Sequence, residues 1–294
     1  MLSRHQIERV VDLALEEDAP FGDLTSEAFI PAGALATADL VAREPGVLAG
    51  AEVFAIAMSR RDFAVKVTNA MPDATRFEAG DVLASVSGPA RSVLQAERVA
   101  LNLLQRMSGI ATSTAAYVAA VEGTGVRVVD TRKTTPGLRA LERHAVVCGG
   151  GHNHRFSLSD AVMAKDNHLA LVDSVEGGVT AAIRAAAETL PHTTHIEVEV
   201  DRLDQIEPVL ASGKVGTIML DNFDLDGLRR GVELVGERAL VEASGGITLD
   251  TIADVAATGV DIISVGALTH SVRALDLALD VRVGPAGAPG PGRH

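Results

Sequence analysis

The chain has no tryptophan, a single tyrosine and a single cysteine in 294 residues. With Cys148 alone no intramolecular disulfide can form, so packing must hold the fold. No run reaches the roughly 18 apolar residues of a membrane-spanning helix, and the opening MLSRHQIERVVDLALEED puts acids where a secretion signal needs an apolar stretch. A cytoplasmic protein with no membrane partner is expected. Aromatics make up 3% and the net charge is -13, so the stacking groups and the positive footprint of a nucleic-acid binder are both missing. Neither GxGxxG nor GxxxxGK[ST] occurs, which argues against dinucleotide and P-loop sites.

What is present is an ordinary globular composition, 47% hydrophobic and 22% charged, in a chain long enough for one large or two ordinary domains. The charge is unevenly spread. Between Arg127 and His168 seven Lys or Arg face four acids, a cationic island in an acidic protein. Such an island suits small anionic ligands, carboxylates or phosphates, held at close range.

Ser3 and Gln6 form a capping box ahead of Ile7, Val10, Val11, Ala14 and Leu15 at helical spacing, which predicts an N-terminal helix. Short apolar runs at 38–42, 46–49, 63–68 and 82–86, separated by turn residues, predict a small antiparallel sheet. A long helix is expected from Ser92 to about Val121, bridging two domains, with a break or kink at Ser108-Gly109. Further on, β-branched runs start near Val126, Ala161, His195, Thr217, Ala239 and Asp261, the last four at a pitch of 22 residues, with helical stretches between. That alternation predicts right-handed βαβ units and a buried parallel sheet. Polar residues recur at successive run ends, where a (β/α) barrel assembles its site, whereas a doubly wound sheet gathers its ligands at one switch point. Six runs, where eight strands would close a barrel, predict an α/β chain with an incomplete (β/α) TIM-like barrel and a smaller N-terminal α+β domain. The expected boundaries are 1–108 for the N-terminal domain, 109–272 for the barrel, 273–283 for a segment packing back on the N-terminal domain, and 284–294 for a disordered Pro/Gly-rich tail.

Chemistry concentrates in DTRKTTPGLRALERHAVVCGGGHNHRFSLSDAVMAKDNHL, residues 130–169. Any one of its cations alone reads as a solvated surface charge. Arg132, Lys133, Arg155 and Lys165 together, with His154, can neutralise a multiply charged ligand, Arg by bidentate forks and Lys as a point charge. Glu199 and Asp221 stand at successive strand ends, as carboxylates that could stabilise an oxocarbenium-like state or hold Mg2+. Ser244-Gly245-Gly246 and Val265-Gly266-Ala267 follow the last two strands, where barrels often bind phosphate through backbone N–H groups. GGG at 149–151 fits a phosphate loop or a tight turn. His144, Cys148, His152 and His154 match no zinc finger or ribbon spacing.

These segments, with IEVEVD (196–201), MLDNF (219–223), EASGGI (242–247), VGALTHS (265–271), EDAPFGDLTS (17–26) and AERVALNLLQRMSGIAT (96–112), resemble the quinolinate phosphoribosyltransferase family over nearly the whole chain. The resemblance implies transfer of a phosphoribosyl group from 5-phosphoribosyl 1-pyrophosphate to quinolinate with loss of CO2, giving nicotinate mononucleotide in NAD biosynthesis. It implies that Arg132, His154 and Arg155 bind quinolinate, that Thr131 takes part in substrate binding, that Lys133 and Lys165 reach the phosphates, and that Lys133, Glu199 and Asp221 are catalytic. Mg2+ would be held by Glu199 and Asp221, indirectly through substrate or water. A homodimer or hexamer is implied, with Arg98 completing a neighbour's site. A relative acting on another acceptor and a non-catalytic anion-binding barrel are the alternatives.

Overall fold

In the computed structural model, residues 2–173 and 177–283 are described; the expected disordered tail lies outside them. The chain divides into two compact units, 1–114 with 135–150 and 272–294, and 115–134 with 151–271.

In the first unit, helix α1 (Arg4–Asp18) begins at the capping box: the Ser3 hydroxyl accepts from Gln6 N–H and the Gln6 side chain accepts from Ser3 N–H. It buries Ile7, Val10, Val11 and Leu15, the face its spacing predicts. Strands β1 (Leu35–Ala42), β2 (Lys66–Thr68) and β3 (Val82–Pro89) form an antiparallel sheet in the order β1, β3, β2, and a two-residue pair at Gly46–Val47 and Arg76–Phe77 lies apart from it. Its fourth strand, on the other edge of β1, is the chain's last, Leu277–Val283, which buries Leu277 and Leu279. Helix α2 (Ala51–Ser59) and helix α3 (Ala90–Ala120) complete this core, with Val93, Ala96, Val99, Ala100, Leu103 and Leu104 of α3 buried.

Helix α3 runs unbroken through Ser108 and Gly109, against the expected break. The two small residues serve close approach instead. Ser108 Oγ donates to the Ala49 carbonyl and accepts from Ala49 N–H, and a Cβ at Gly109 would lie 2.3 Å from the Arg273 carbonyl oxygen. Gly109→Ala is therefore expected to cost about 1–3 kcal/mol through overpacking, read as a lowered melting temperature with unchanged secondary structure. Helix α4 (Arg139–Cys148), which the sequence placed inside the barrel, clusters with the first unit. Gly149 explains part of this, because a Cβ there would meet the Ala111 carbonyl oxygen of α3 at 2.4 Å.

The second unit is a sheet of six parallel strands: β4 (Arg127–Val129), β5 (Val162–Ala164), β6 (Ile196–Val200), β7 (Thr217–Asp221), β8 (Leu240–Ser244) and β9 (Ile262–Ser264). Each starts within one residue of its predicted position. The spatial order is β4, β9, β8, β7, β6, β5, so the first strand pairs with the last and the ring stays open between β4 and β5. A single parallel bridge, Val129 to His152, follows the free edge of β4. This is the incomplete (β/α) barrel. Val198, Val200, Ile218, Leu220, Val241, Ala243 and Ile263 alternate with Glu197, Glu199, Thr217, Met219, Glu242 and Ser264, all buried, so the strands are covered on both faces and one face is polar.

Candidate active site

Parallel strands bring their C-terminal ends to one rim. There a cavity of about 380 Å³ is lined by Thr131, Arg132 and Lys133 after β4, His154 and Arg155, Met163 and Lys165 on and after β5, and Glu199, Met219, Asp221, Glu242, Ser244 and Ser264 on β6 to β9. Register explains the convergence. Glu199 pairs with Met219 and Met219 with Glu242 in one layer, and Asp221 pairs with Ser244 in the next.

Burial pushes the Arg155 guanidinium pKa down, and the charge of Arg132 pushes it further the same way. Two guanidinium groups repelling each other at a cavity wall are stabilised by an anion between them. Lys165 Nζ donates to Glu199 Oε2. Lys133 leans over Gly266, where a Cβ would come within 3.0 Å of its Cδ, and its carbonyl accepts from Thr269 Oγ1 at 2.7 Å.

Beneath these lies a buried triad. His154 Nε2 is 3.1 Å from Glu197 Oε2 and 3.3 Å from Glu242 Oε2. Burial disfavours a charged imidazole, but the two carboxylates outweigh it and push His154 up to about 10. Burial also raises Glu197, and the charge of Glu242 adds to that. Arg155 N–H donates to His154 Nδ1 at 2.7 Å, so a neutral ring carries its proton on Nε2. Asp130, fully buried, accepts from His154 N–H at 2.8 Å and fixes the segment.

Among the described residues, four buried side-chain atoms lack a hydrogen-bond partner: Arg132 Nε, Glu197 Oε1, Glu242 Oε1 and Ser264 Oγ. All four belong to the cavity or to the triad beneath it. Buried polar atoms are ordinarily paired, so their concentration here marks a place where a ligand supplies the partners. A larger cavity of about 600 Å³ near Asn167, Val179 and Gln205 lacks this character, because its Arg202 is already paired with Asp201 and Asp204.

The remaining predicted residues are near or elsewhere. Gly245 has φ +96° and its Cβ position lies 2.2 Å from Asn222 Oδ1, so it packs the β8 loop against the residue after Asp221. Asn222 itself has φ +60°, a left-handed conformation next to a site carboxylate. Gly246 also has positive φ; Val265 is buried and donates to the Val129 carbonyl; Ala267 opens the short helix Ala267–His270. Arg98 is exposed on α3 and does not line the cavity. Histidines and cysteine separate: His154 joins Glu197 and Glu242, while His144 and Cys148 meet Asp73. Glu197 and Glu242 were missed as site members, although glutamates alternating in IEVEV on a strand buried on both faces were the available signal.

The sequence model of the quinolinate phosphoribosyl transferase N-terminal domain matches residues 23–108, and that of the C-terminal domain matches residues 110–280. Nicotinate-nucleotide pyrophosphorylase [carboxylating] of Mycobacterium leprae is 47% identical, over 91% of this chain and 94% of its own. The probable enzyme of that name from Bacillus subtilis is 40% identical, over 94% and 93%. The crystal structure of NadC from Streptococcus pyogenes superposes with a TM-score of 0.91 at 41% identity, covering 97% of this chain and 99% of its own. With both domain models matched in order and the barrel rim built as described, the chain belongs to the quinolinate phosphoribosyltransferase family.

Proposed function

We propose that this protein is a carboxylating nicotinate-nucleotide pyrophosphorylase, transferring the phosphoribosyl group of 5-phosphoribosyl 1-pyrophosphate to quinolinate with release of pyrophosphate and CO2. The observation that carries the reading is the cluster of cations and unpartnered buried polar atoms around one cavity, in a chain whose curated relatives bear that activity in their names. A planar dianion answers Arg132 and Arg155, whose mutual repulsion it relieves.

The pyridine nitrogen donates its lone pair to the anomeric carbon as the bond to pyrophosphate breaks with its electron pair. Lys133 is placed to meet the charge on the departing group, and Glu199 and Asp221 face the cationic sugar. When the neighbouring carboxylate departs as CO2 its bonding pair stays on the ring carbon, as an ylide stabilised by the adjacent quaternary nitrogen, and that carbon takes up a proton. Fixing the ring in a cation-lined cavity is the protein's contribution to that step. Glu199 and Asp221 offer hard oxygen donors to the same cavity, a set that fits Mg2+; they would hold it indirectly, through substrate or water, and it would offset pyrophosphate charge.

Arg98 on α3 is assigned to a neighbouring subunit's cavity, which makes a homodimer the smallest active form and leaves a hexamer built from such dimers open to the same contact. Among the described residues no helix is long and apolar enough to cross a membrane; a cytoplasmic location is part of the proposal. The test is an assay with quinolinate, 5-phosphoribosyl 1-pyrophosphate and Mg2+ that follows nicotinate mononucleotide and CO2 together. One-to-one release is expected. Turnover of nicotinate without CO2, and none of quinolinate, would assign the cavity to another acceptor.

A further inference from the structure

The first unit carries a second cluster that the reaction does not use. His144 and Cys148 lie four residues apart on α4, one above the other on the same face. Asp73, in the turn between β2 and β3, reaches the same point. His144 Nε2 is 2.7 Å from Asp73 Oδ2 and 3.5 Å from Cys148 Sγ, and the three atoms lie within 4.8 Å of one another.

Both contacts fall on one nitrogen. A nucleophile-base-acid relay needs the thiol and the carboxylate on opposite nitrogens of the ring, so this arrangement cannot work as one. An imidazole-carboxylate ion pair accounts for His144 and Asp73 but gives the thiol no role at the same atom. Three Lewis bases converging on one point are, by contrast, the donor set of a coordination site. In tetrahedral zinc geometry the N to O and N to S separations are roughly 3.3 and 3.6 Å. The sulfur already sits at that distance, and the carboxylate need retreat by only about half an ångström.

Asp73 is also prepared in the way metal-bound carboxylates are. Its Oδ1 accepts from Gly50 N–H and Ala51 N–H, both at 2.8 Å, which fixes the group and leaves Oδ2 to face His144. The side chains of His144 and Asp73 are 28% and 25% exposed, so an ion can enter and water can fill a fourth position. Thiolate and imidazole donors select zinc, cobalt or cadmium over magnesium.

We propose that Asp73, His144 and Cys148 form a binding site for one thiophilic divalent transition-metal ion, of the Zn2+ class, in the first unit. It shares no residue with the cavity and does not depend on which acceptor the enzyme uses.

The test uses reduced, full-length, tag-free protein stripped by chelator and titrated with Co2+. One equivalent should bring up tetrahedral cobalt bands together with a thiolate-to-cobalt charge-transfer band, and Zn2+ should abolish both. Cys148→Ala and His144→Ala should each remove the charge-transfer band and weaken zinc binding by more than about 100-fold, since even outer-shell losses cost 10- to 100-fold. Because Cys148 is the chain's only cysteine, a thiol reagent reports on it alone. Zn2+ should slow alkylation of the native protein in proportion to occupancy, a readout that needs no variant to fold. A wild-type protein that gives no thiolate-to-cobalt band at equimolar metal, and whose alkylation rate ignores Zn2+, would overturn the site. A band that persists in Cys148→Ala would do the same.

Discussion

Arg132→Ala is expected to lower kcat/KM for quinolinate by about 10²- to 10³-fold, within the range for truncating one partner of a buried, hydrogen-bonded charge pair. Arg132 follows β4 directly, and its Nε is buried without a partner among the described residues, so part of its hydrogen-bonding capacity is unused until a ligand arrives. The loss should fall mainly on KM, because the carboxylates are charged in the ground state as well as in the transition state. Calorimetric titration with quinolinate alone would show the same deficit without turnover. Arg132→Lys should recover little, since an ammonium cannot reproduce the planar fork. In the same variant Arg155 stays lowered by burial, but the smaller lowering from the charge of Arg132 is relieved. A variant within threefold of wild type in both KM and affinity would remove Arg132 from quinolinate recognition.

How much of this was legible beforehand varies with the range of the interaction. The six barrel strands were readable because each is a short β-branched run with local punctuation, and because run ends carry polar residues whatever their partners. Lys133, Glu199 and Asp221 could be placed on one rim by that logic alone. The destination of α4 could not be read, since Gly149 meets Ala111 only through a contact 38 residues away in sequence, and the helix looks like any barrel crossover. Ser108-Gly109 misled for a related reason. The pair has the composition of a helix break, and only the main chain at Ala49 and Arg273 shows that small size was the requirement. The partnership of His144 with Asp73 spans 71 residues and has no sequence signal. Glu197 is the instructive miss. It alternates in phase with Glu199 on β6, so the sequence did contain the observation that both face the same way.

His154→Ala is expected to destabilise the folded protein by about 3–5 kcal/mol near neutral pH, the cost of leaving buried charges without their partner. Glu197 and Glu242 are 4% and 1% exposed, and without the imidazole they would face each other across its vacated place. The sign of the pH dependence follows from the two shifts. His154 is raised above its ordinary 6.5 to about 10, so its contribution in the native protein is complete below 6.5, declines as pH rises above that and is gone above about 10. Glu197 is raised above its ordinary 4.5, chiefly by burial, and that shift grows when the imidazole no longer opposes it. A raised carboxylate favours the folded state when protonated, so the variant should regain stability as pH falls from neutral toward 4.5. The deficit in melting temperature, measured from pH 6.5, below which the histidine contribution is constant, down to pH 4.5, should therefore shrink steadily. Adding Glu242→Gln to the variant should recover stability at pH 8 by removing one of the two facing charges, while quinolinate turnover stays low because the cavity still lacks its imidazole. A pH-independent deficit would show that the triad contributes packing alone, and recovery of turnover in the double variant would take His154 out of the site.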